Sequence, residues 1–352
     1  MASAPRVATF VLVLASIFAI SLGTPQGEGA RKSYIVHVVK SAKPSHFTSH
    51  HKWYASMLRQ VSQSVPHATE LLYTYDTVLH GFAAMLSSAE AEDMENLEGM
   101  KNNKITETNS STLSIANSSK RWQEKLFLPT TLNGCLAIIP SSGILWNYST
   151  YGEGIIVDVI DTGIWPESKS FSDAGLGPIP ARWKGICEVG QKFNSSNCNK
   201  EIIGARNYFK GYEKNYNTGI DPVSEYKSPR DSGEHGTHVA SIVAGAPVDV
   251  SSWFGNVKVR GMAPQARLTI YKACWKDGCT DADITAAIDQ AIANGVDIIS
   301  ISISSKDVPF YKSTRAIVVF GAIKNGTLVS ASGGNSGPFH LIRVTYCHGL
   351  RL

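Results

Sequence analysis

Val157-Asp158-Val159-Ile160-Asp161-Thr162-Gly163-Ile164-Trp165-Pro166-Glu167-Ser168 decides the fold of this chain. A β-branched apolar run stops at an Asp and yields to a Gly turn, which reads as a buried strand ending in a carboxylate. Open α/β sheets place their ligands and chemistry at such strand ends. The pattern continues outward from it. Ile155 to Ile160 predicts a strand, Gly236 to Ala244 a helix closed by Gly245, and Ala266 to Tyr271 a second strand. Thr280 or Asp281 is placed to cap a helix from Ala282 to Ala293, which Asn294-Gly295 ends. Val296 to Ser302 predicts a strand, Thr314 to Lys324 a helix closed by Asn325-Gly326, and Thr327 to Ser330 another strand. Repeated strand–helix–strand units imply a parallel sheet with right-handed crossovers.

Residues 33 to about 105 read differently. Ser33 to Val39 alternates like a strand, and Trp53, Met57, Leu58 and Val61 recur at helical spacing. Leu71 to Tyr75 and Gly81 to Leu86 are two further strands, and Ser87 or Ser88 caps a helix running to Leu97. Strand, helix, strand, strand, helix is the order of a ferredoxin-like unit. Residues 106 to 143 carry a Ser/Asn-rich run and no clear period, and residues 339 to 352 have none either. A loop as long as the first is either functional or out of place in a compact protein.

At 352 residues the chain has room for one large or two ordinary domains. It is 43% hydrophobic and 18% charged with a net charge of +4, and no dense Lys/Arg block argues for nucleic acid as a partner. Arg6 precedes an apolar run from Val7 to Leu22, then small and polar residues. That is the pattern of a secretory signal peptide over residues 1–23, and the run is short for a membrane anchor. Secretion permits disulfides. Cys187 and Cys198 bracket a polar loop, and Cys274 and Cys279 bracket a short turn, so both pairs are candidate bridges. Cys135 and Cys347 are left over, paired or free. Sequons at Asn109, Asn117, Asn147, Asn194 and Asn325 fit an extracytoplasmic route.

The chemistry-bearing residues fall in three places. Asp161 ends its strand, His235-Gly236-Thr237-His238 opens a helix, and Ser332-Gly333-Gly334-Asn335-Ser336-Gly337-Pro338 is Gly-rich. A carboxylate to orient a histidine, a histidine to act as base and an amide to hold an oxyanion are parts of an acyl-transfer site. Each alone says little; in this order, each beside its own flanking motif, they point together. His235 and His238 as metal ligands lack a third ligand at suitable spacing, and no H-E-x-x-H occurs. No cofactor or metal is expected. Trp165, Trp183, Tyr208 and Tyr212 read as packing residues.

On these residues the chain resembles the plant subtilases, which are secreted subtilisin-like serine proteases. The likeness runs through Tyr34-Ile35-Val36-His37-Val38, His50-His51-Lys52-Trp53-Tyr54, Leu71-Leu72-Tyr73-Thr74-Tyr75 and His80-Gly81-Phe82-Ala83-Ala84. It continues in Asp161 to Ser168, Ser228-Pro229-Arg230-Asp231, Gly261-Met262-Ala263-Pro264 and Asn335-Ser336-Gly337-Pro338. It implies an α/β fold: a ferredoxin-like α+β prodomain over 24–105, then part of a subtilisin-like parallel sheet with flanking helices over 144–338. It further implies Asp161 as orienting acid, His235 as general base, Asn335 as oxyanion donor, and Cys187–Cys198 and Cys274–Cys279 as bridges. The strand Ser300, Ile301, Ser302, Ile303, Ser304, Ser305 would pair with a substrate backbone. The resemblance makes proteins or peptides the substrates and the prodomain an intramolecular inhibitor. It places the protein outside the cell, in the apoplast or cell wall, with no membrane association after signal cleavage.

The chain also departs from the family. No Gly-Thr-Ser follows Asn335 within these residues, so the nucleophilic Ser is lacking and the chain as written is expected to be inactive. Glu234 stands where the family has Gly, Ser304 and Ser305 stand where it has two Gly, and Asp158 replaces a small residue. Lys101-Asn102-Asn103-Lys104 occupies the place of the tail that would enter the active site. The irregular stretches 106–143 and 339–352 suit a C-terminally truncated chain from a broken gene, a mis-spliced transcript or a faulty gene model. The other reading is a secreted inhibitory module, carried by residues 33 to about 105.

Overall fold

The computed structural model describes residues 31–62, 70–97, 104–108, 110–111, 149–216, 219–252, 255–303 and 313–332. The expected signal peptide, most of 106–143, Cys135, Cys347 and the 339–352 tail lie outside the described residues.

The N-terminal module is built from β1 (Lys32–His37), α1 (His50–Val61), β2 (Leu71–Tyr75), β3 (Gly81–Leu86), α2 (Ser88–Asn96) and β4 (Lys104–Glu107). The strands form an antiparallel sheet in the order β2-β3-β1-β4. Ser49 caps α1, and Ser87 and Glu90 close a reciprocal capping box on α2. Strand periodicity then splits the side chains. Tyr34, Val36, Phe82, Ala84 and Leu86 join Trp53, Tyr54, Met57 and Met94 in one core, while Ile35, Ala83 and Met85 belong to a second core shared with the rest of the molecule. Both faces of this small sheet are therefore covered. β4 runs across the expected limit at residue 105 because Ile105 and Thr106 pair with Val36 and Ile35.

The second domain is α/β. Its described parallel sheet has the order β14-β13-β6-β10-β7, with β6 (Ile156–Asp161) central, β7 (Ile202–Asn207), β10 (Arg267–Lys272), β13 (Ile298–Ile301) and β14 (Leu328–Ala331). The helices are α3 (Lys210–Tyr216), α4 (His235–Ala244), α5 (Asp281–Ala293) and α6 (Thr314–Lys324). Thr280 caps α5 by accepting from the Asp283 amide, and Ser313 caps α6. β6 and β10 are buried along their whole length, as strands sandwiched between helical layers must be. β8 (Val248–Ser252) and β9 (Gly255–Val259) form an exposed hairpin after α4. β11 (Cys274–Trp275) and β12 (Gly278–Thr280) form a tight hairpin closed by the Cys274–Cys279 disulfide, and a second disulfide joins Cys187 to Cys198. No helix among the described residues is long and apolar enough to cross a membrane.

The two parts meet along β2 and α5. Tyr73 Oη donates to Asp283 Oδ1 at 2.7 Å and Tyr75 Oη to the Ala282 carbonyl at 3.2 Å. The Asp289 carboxylate accepts from the backbone amides of Asp76, Thr77 and Val78 at 3.3, 2.8 and 2.8 Å. The chain then reaches farther: β5 (Ser110–Ser111) pairs antiparallel with β12, Ser111 opposite Cys279 and Ser110 opposite Thr280. Lys104 begins β4 on the module's own sheet, and residues 101–103 of the expected tail lie outside the described residues.

Candidate active site

Asp161 is the last residue of β6 and is 1% exposed. Its Oδ1 accepts from the Thr162 amide at 2.7 Å and lies 2.7 Å from His235 Nδ1. An ionised carboxylate only accepts, so the imidazole carries its proton on Nδ1 and leaves Nε2 as the free base. Fold alone closes the 74-residue separation between them. The His235 side chain keeps 36% of its surface exposed, so the ring is reachable while its orienting acid is sealed. The Asp161 hydrogen bond holds the imidazole above its ordinary value, against burial. Burial pushes the Asp161 carboxyl up, and His235 and the Thr162 amide oppose that push.

The start of α4 is fixed by Asp231 and Thr162, which the sequence marks only as parts of longer motifs. Asp231 Oδ1 accepts from the Gly233 and Glu234 amides at 2.9 and 3.0 Å, and its Oδ2 from the Thr237 amide at 2.9 Å. Asp231 thus caps the helix that carries His235, a role that the spacing of an acidic residue just before a helix could have signalled. Thr162 Oγ1 accepts from the Gly236 amide at 2.8 Å, tying the strand end to the helix start. A Cβ on Gly236 would stand 2.4 Å from the Gly163 carbonyl oxygen, and Gly163 itself has φ +113°. Both glycines let the two backbones touch where the dyad is assembled. Glu234 has φ +64°, the left-handed region that favours Gly, a strained position for a residue with a Cβ.

The expected substrate strand needs a correction. Ser300 and Ile301 are enclosed in the sheet, opposite Val159 and Ile160 on one side and Ser330 and Ala331 on the other. Their backbone groups are used inside the sheet. Ser304, Ser305 and Asn335 lie outside the described residues, as do the sequons at Asn109, Asn117 and Asn147. Asn194 caps a single turn, accepting from the Ser196 amide at 2.9 Å. Asn325 Nδ2 donates to Gly321 O at 2.9 Å and to Thr77 O of the N-terminal module at 3.4 Å. Tyr208 and Tyr212 are buried and the Trp183 indole donates to Ile203 O, but Trp165 is 57% exposed and does not pack as expected. It sits on the turn beside the dyad, its amide donating to Thr237 Oγ1 at 3.0 Å. Among the described residues no group of three or more His, Cys, Asp or Glu side chains is placed to hold a metal ion.

A parallel sheet flanked by helices, with Asp161 at a strand end hydrogen-bonded to His235 at a helix start, defines the class as an α/β protein. Comparison with known proteins narrows it. The Subtilase family pattern matches residues 152–345, and the peptidase inhibitor I9 pattern matches residues 33–102. The chain belongs to the subtilase family. It is 39% identical over 337 residues to subtilisin-like protease SBT1.3 of Arabidopsis thaliana, covering 94% of this chain and 41% of that protein. Against SBT1.4 of the same plant the identity is 44% over 312 residues, covering 87% and 38%. Against SBT3 of Solanum lycopersicum it is 42% over 321 residues, covering 88% and 39%. The chain thus spans about two fifths of the length of these relatives.

Proposed function

We propose that these residues are the inhibitory prodomain and the dyad-bearing part of a secreted serine endopeptidase that cleaves proteins or peptides by acyl transfer. The Asp161–His235 hydrogen bond, at 2.7 Å and with Asp161 buried, carries this reading. His235 Nε2 takes the proton of a serine hydroxyl and returns it to the leaving amine, while Asp161 stabilises the imidazolium between the two steps. Asn335 supplies its amide to the oxyanion, and Ser302 to Ser304 offer backbone to the substrate. Residues 1–23 are removed as a signal peptide, residues 24–105 with the strands that follow restrain the site, and residues 144–338 carry the chemistry. No cofactor takes part. Asn109, Asn117, Asn147, Asn194 and Asn325 are the glycan acceptors, and the protein acts outside the cell.

The serine is not among these 352 residues, so a polypeptide of this sequence alone does not turn over. Loss of that serine in subtilisin costs about a million-fold in turnover. The test is to sequence the transcript through and beyond codon 335 and express what it encodes. If the frame reaches a Gly-Thr-Ser, a fluorophosphonate should label that serine, and His235→Ala should abolish labelling. Labelling that is indifferent to His235→Ala would refute the dyad. A second reading, an inhibitor acting by itself, is favoured by the module's separate core. It requires residues 31–111, added as a fragment, to slow an intact subtilase.

A further inference from the structure

Lys272 ends β10 and stands directly opposite Asp161 in the parallel register. Its side chain is completely buried. A buried ammonium is costly unless its protons are paired. Nζ donates to Glu225 Oε2 at 2.9 Å, to Arg230 O at 2.9 Å and to Tyr226 O at 3.4 Å, and the Trp275 ring centroid lies 4.3 Å away. Three donors meet three acceptors, so the group is satisfied. All three acceptors belong to one loop, residues 225–230.

That loop leads straight into the histidine helix. Glu225 Oε2 also accepts from Ser232 Oγ at 2.6 Å. Ile164, just past the Asp161 turn, donates its amide to Pro229 O at 3.0 Å and accepts from the Asp231 amide at 3.0 Å. Asp231 then caps α4, whose first residue is His235. A chain of contacts therefore runs from the Lys272 ammonium through the loop and Asp231 to the imidazole, with no direct contact between lysine and histidine.

We propose that Lys272 is a positioning residue: by gathering residues 225–230 it fixes where Asp231 starts α4, and so holds His235 within hydrogen-bond reach of Asp161. The inference rests on the dyad reading above. It differs in sign from a charge effect. Removing a nearby cation would by charge alone make the imidazole easier to protonate. Losing the Asp161 hydrogen bond makes it harder, since that bond is the first cause holding His235 up. The other charged or titratable groups acting on His235 are Asp231 and His238. Neither is substituted in the variants below.

The test follows the His235 imidazole by NMR titration in the 352-residue chain, with His235→Gln assigning the signal. Lys272→Met should lower its midpoint by about one pH unit, a tenfold change in proton affinity. Lys272→Met/Glu225→Leu removes both buried charges together, an exchange that commonly leaves stability intact. It should keep the wild-type near-UV circular dichroism and show the same fall. An unchanged or raised midpoint in the folded double variant overturns the proposal. So does failure of the double variant to fold, because Lys272 would then hold the domain together rather than place one side chain. If the wild-type midpoint itself sits at the ordinary histidine value, the dyad reading fails instead.

Discussion

The middle and the C-terminal end of β6 carry the same residue to opposite effect. Asp158 and Asp161 are both sealed from water, at 0% and 1% exposure. Asp161, at the strand's C-terminal end, meets the Thr162 amide and His235. Asp158, in the middle, lies between Thr269 of β10 and Ile299 of β13, and neither carboxylate oxygen has a hydrogen-bond partner among the described residues. Burial pushes its carboxyl well up, with Thr269 as the one opposing neighbour. A carboxylate at a strand end can find loop amides and helix residues, whereas one inside a sheet faces backbone already paired and side chains that are mostly apolar. Position on the strand, not residue type, separates function from cost.

Glu201 extends the contrast, for it too is buried with neither side-chain oxygen bonded among the described residues, and burial moves it up from 4.5 to about 8. The largest expected effect is therefore on stability against pH. The folded state keeps a proton that the unfolded state releases above 4.5. The contribution is full below pH 4.5, falls by about 1.4 kcal/mol per unit up to about 8, and is flat beyond. Asp158 acts in the same direction. Urea unfolding at pH 5 and pH 8 should show the higher pH to be the less stable, and Glu201→Gln should flatten the slope.

Next in size, Asp158→Val should raise stability at pH 7 by roughly 1–3 kcal/mol, since a buried carboxyl without a hydrogen-bond partner is exchanged for an apolar group of similar volume. A loss of stability in chemical denaturation would show that Asp158 has a partner after all and would break the comparison. Asp161→Asn should do the reverse at the strand end. The fold should hold, but the His235 midpoint should drop by about one unit or more, since the first cause of its elevation is gone. Imidazole titration checks this. The smallest effect is local: Glu234→Gly relieves a φ of +64° and should stabilise by about 1 kcal/mol, read as a shift in denaturation midpoint.

Much of this was legible in the sequence because caps and turns act over a few residues. Ser87, Thr280 and Asn294-Gly295 set helix ends where their side chains or backbones demand, within a residue of the expected limits. Elements without that local signal were missed. β9 is exposed along its length, so no alternation of buried and exposed residues marks it. α3 is short and polar, and exists because the Gly211 and Tyr212 amides donate to the buried Asp283 carboxylate from α5. Asp231 was visible only as part of a family motif, and its cap appears once the helix start is seen.

The sequence by itself determined which residue closes β6, which residues cap the helices, and that Asp161 and His235 belong to one kind of chemistry, since these depend on neighbours along the chain. Only the tertiary structure decided that Asp161 is partnered while Asp158 is not. The same holds for the enclosure of Ser300 and Ile301 between two strands, the burial of both faces of the small antiparallel sheet, and the service of Lys272 to the histidine loop. Those outcomes depend on which groups packing brings together across tens to hundreds of residues, and periodicity records a buried face without naming what covers it.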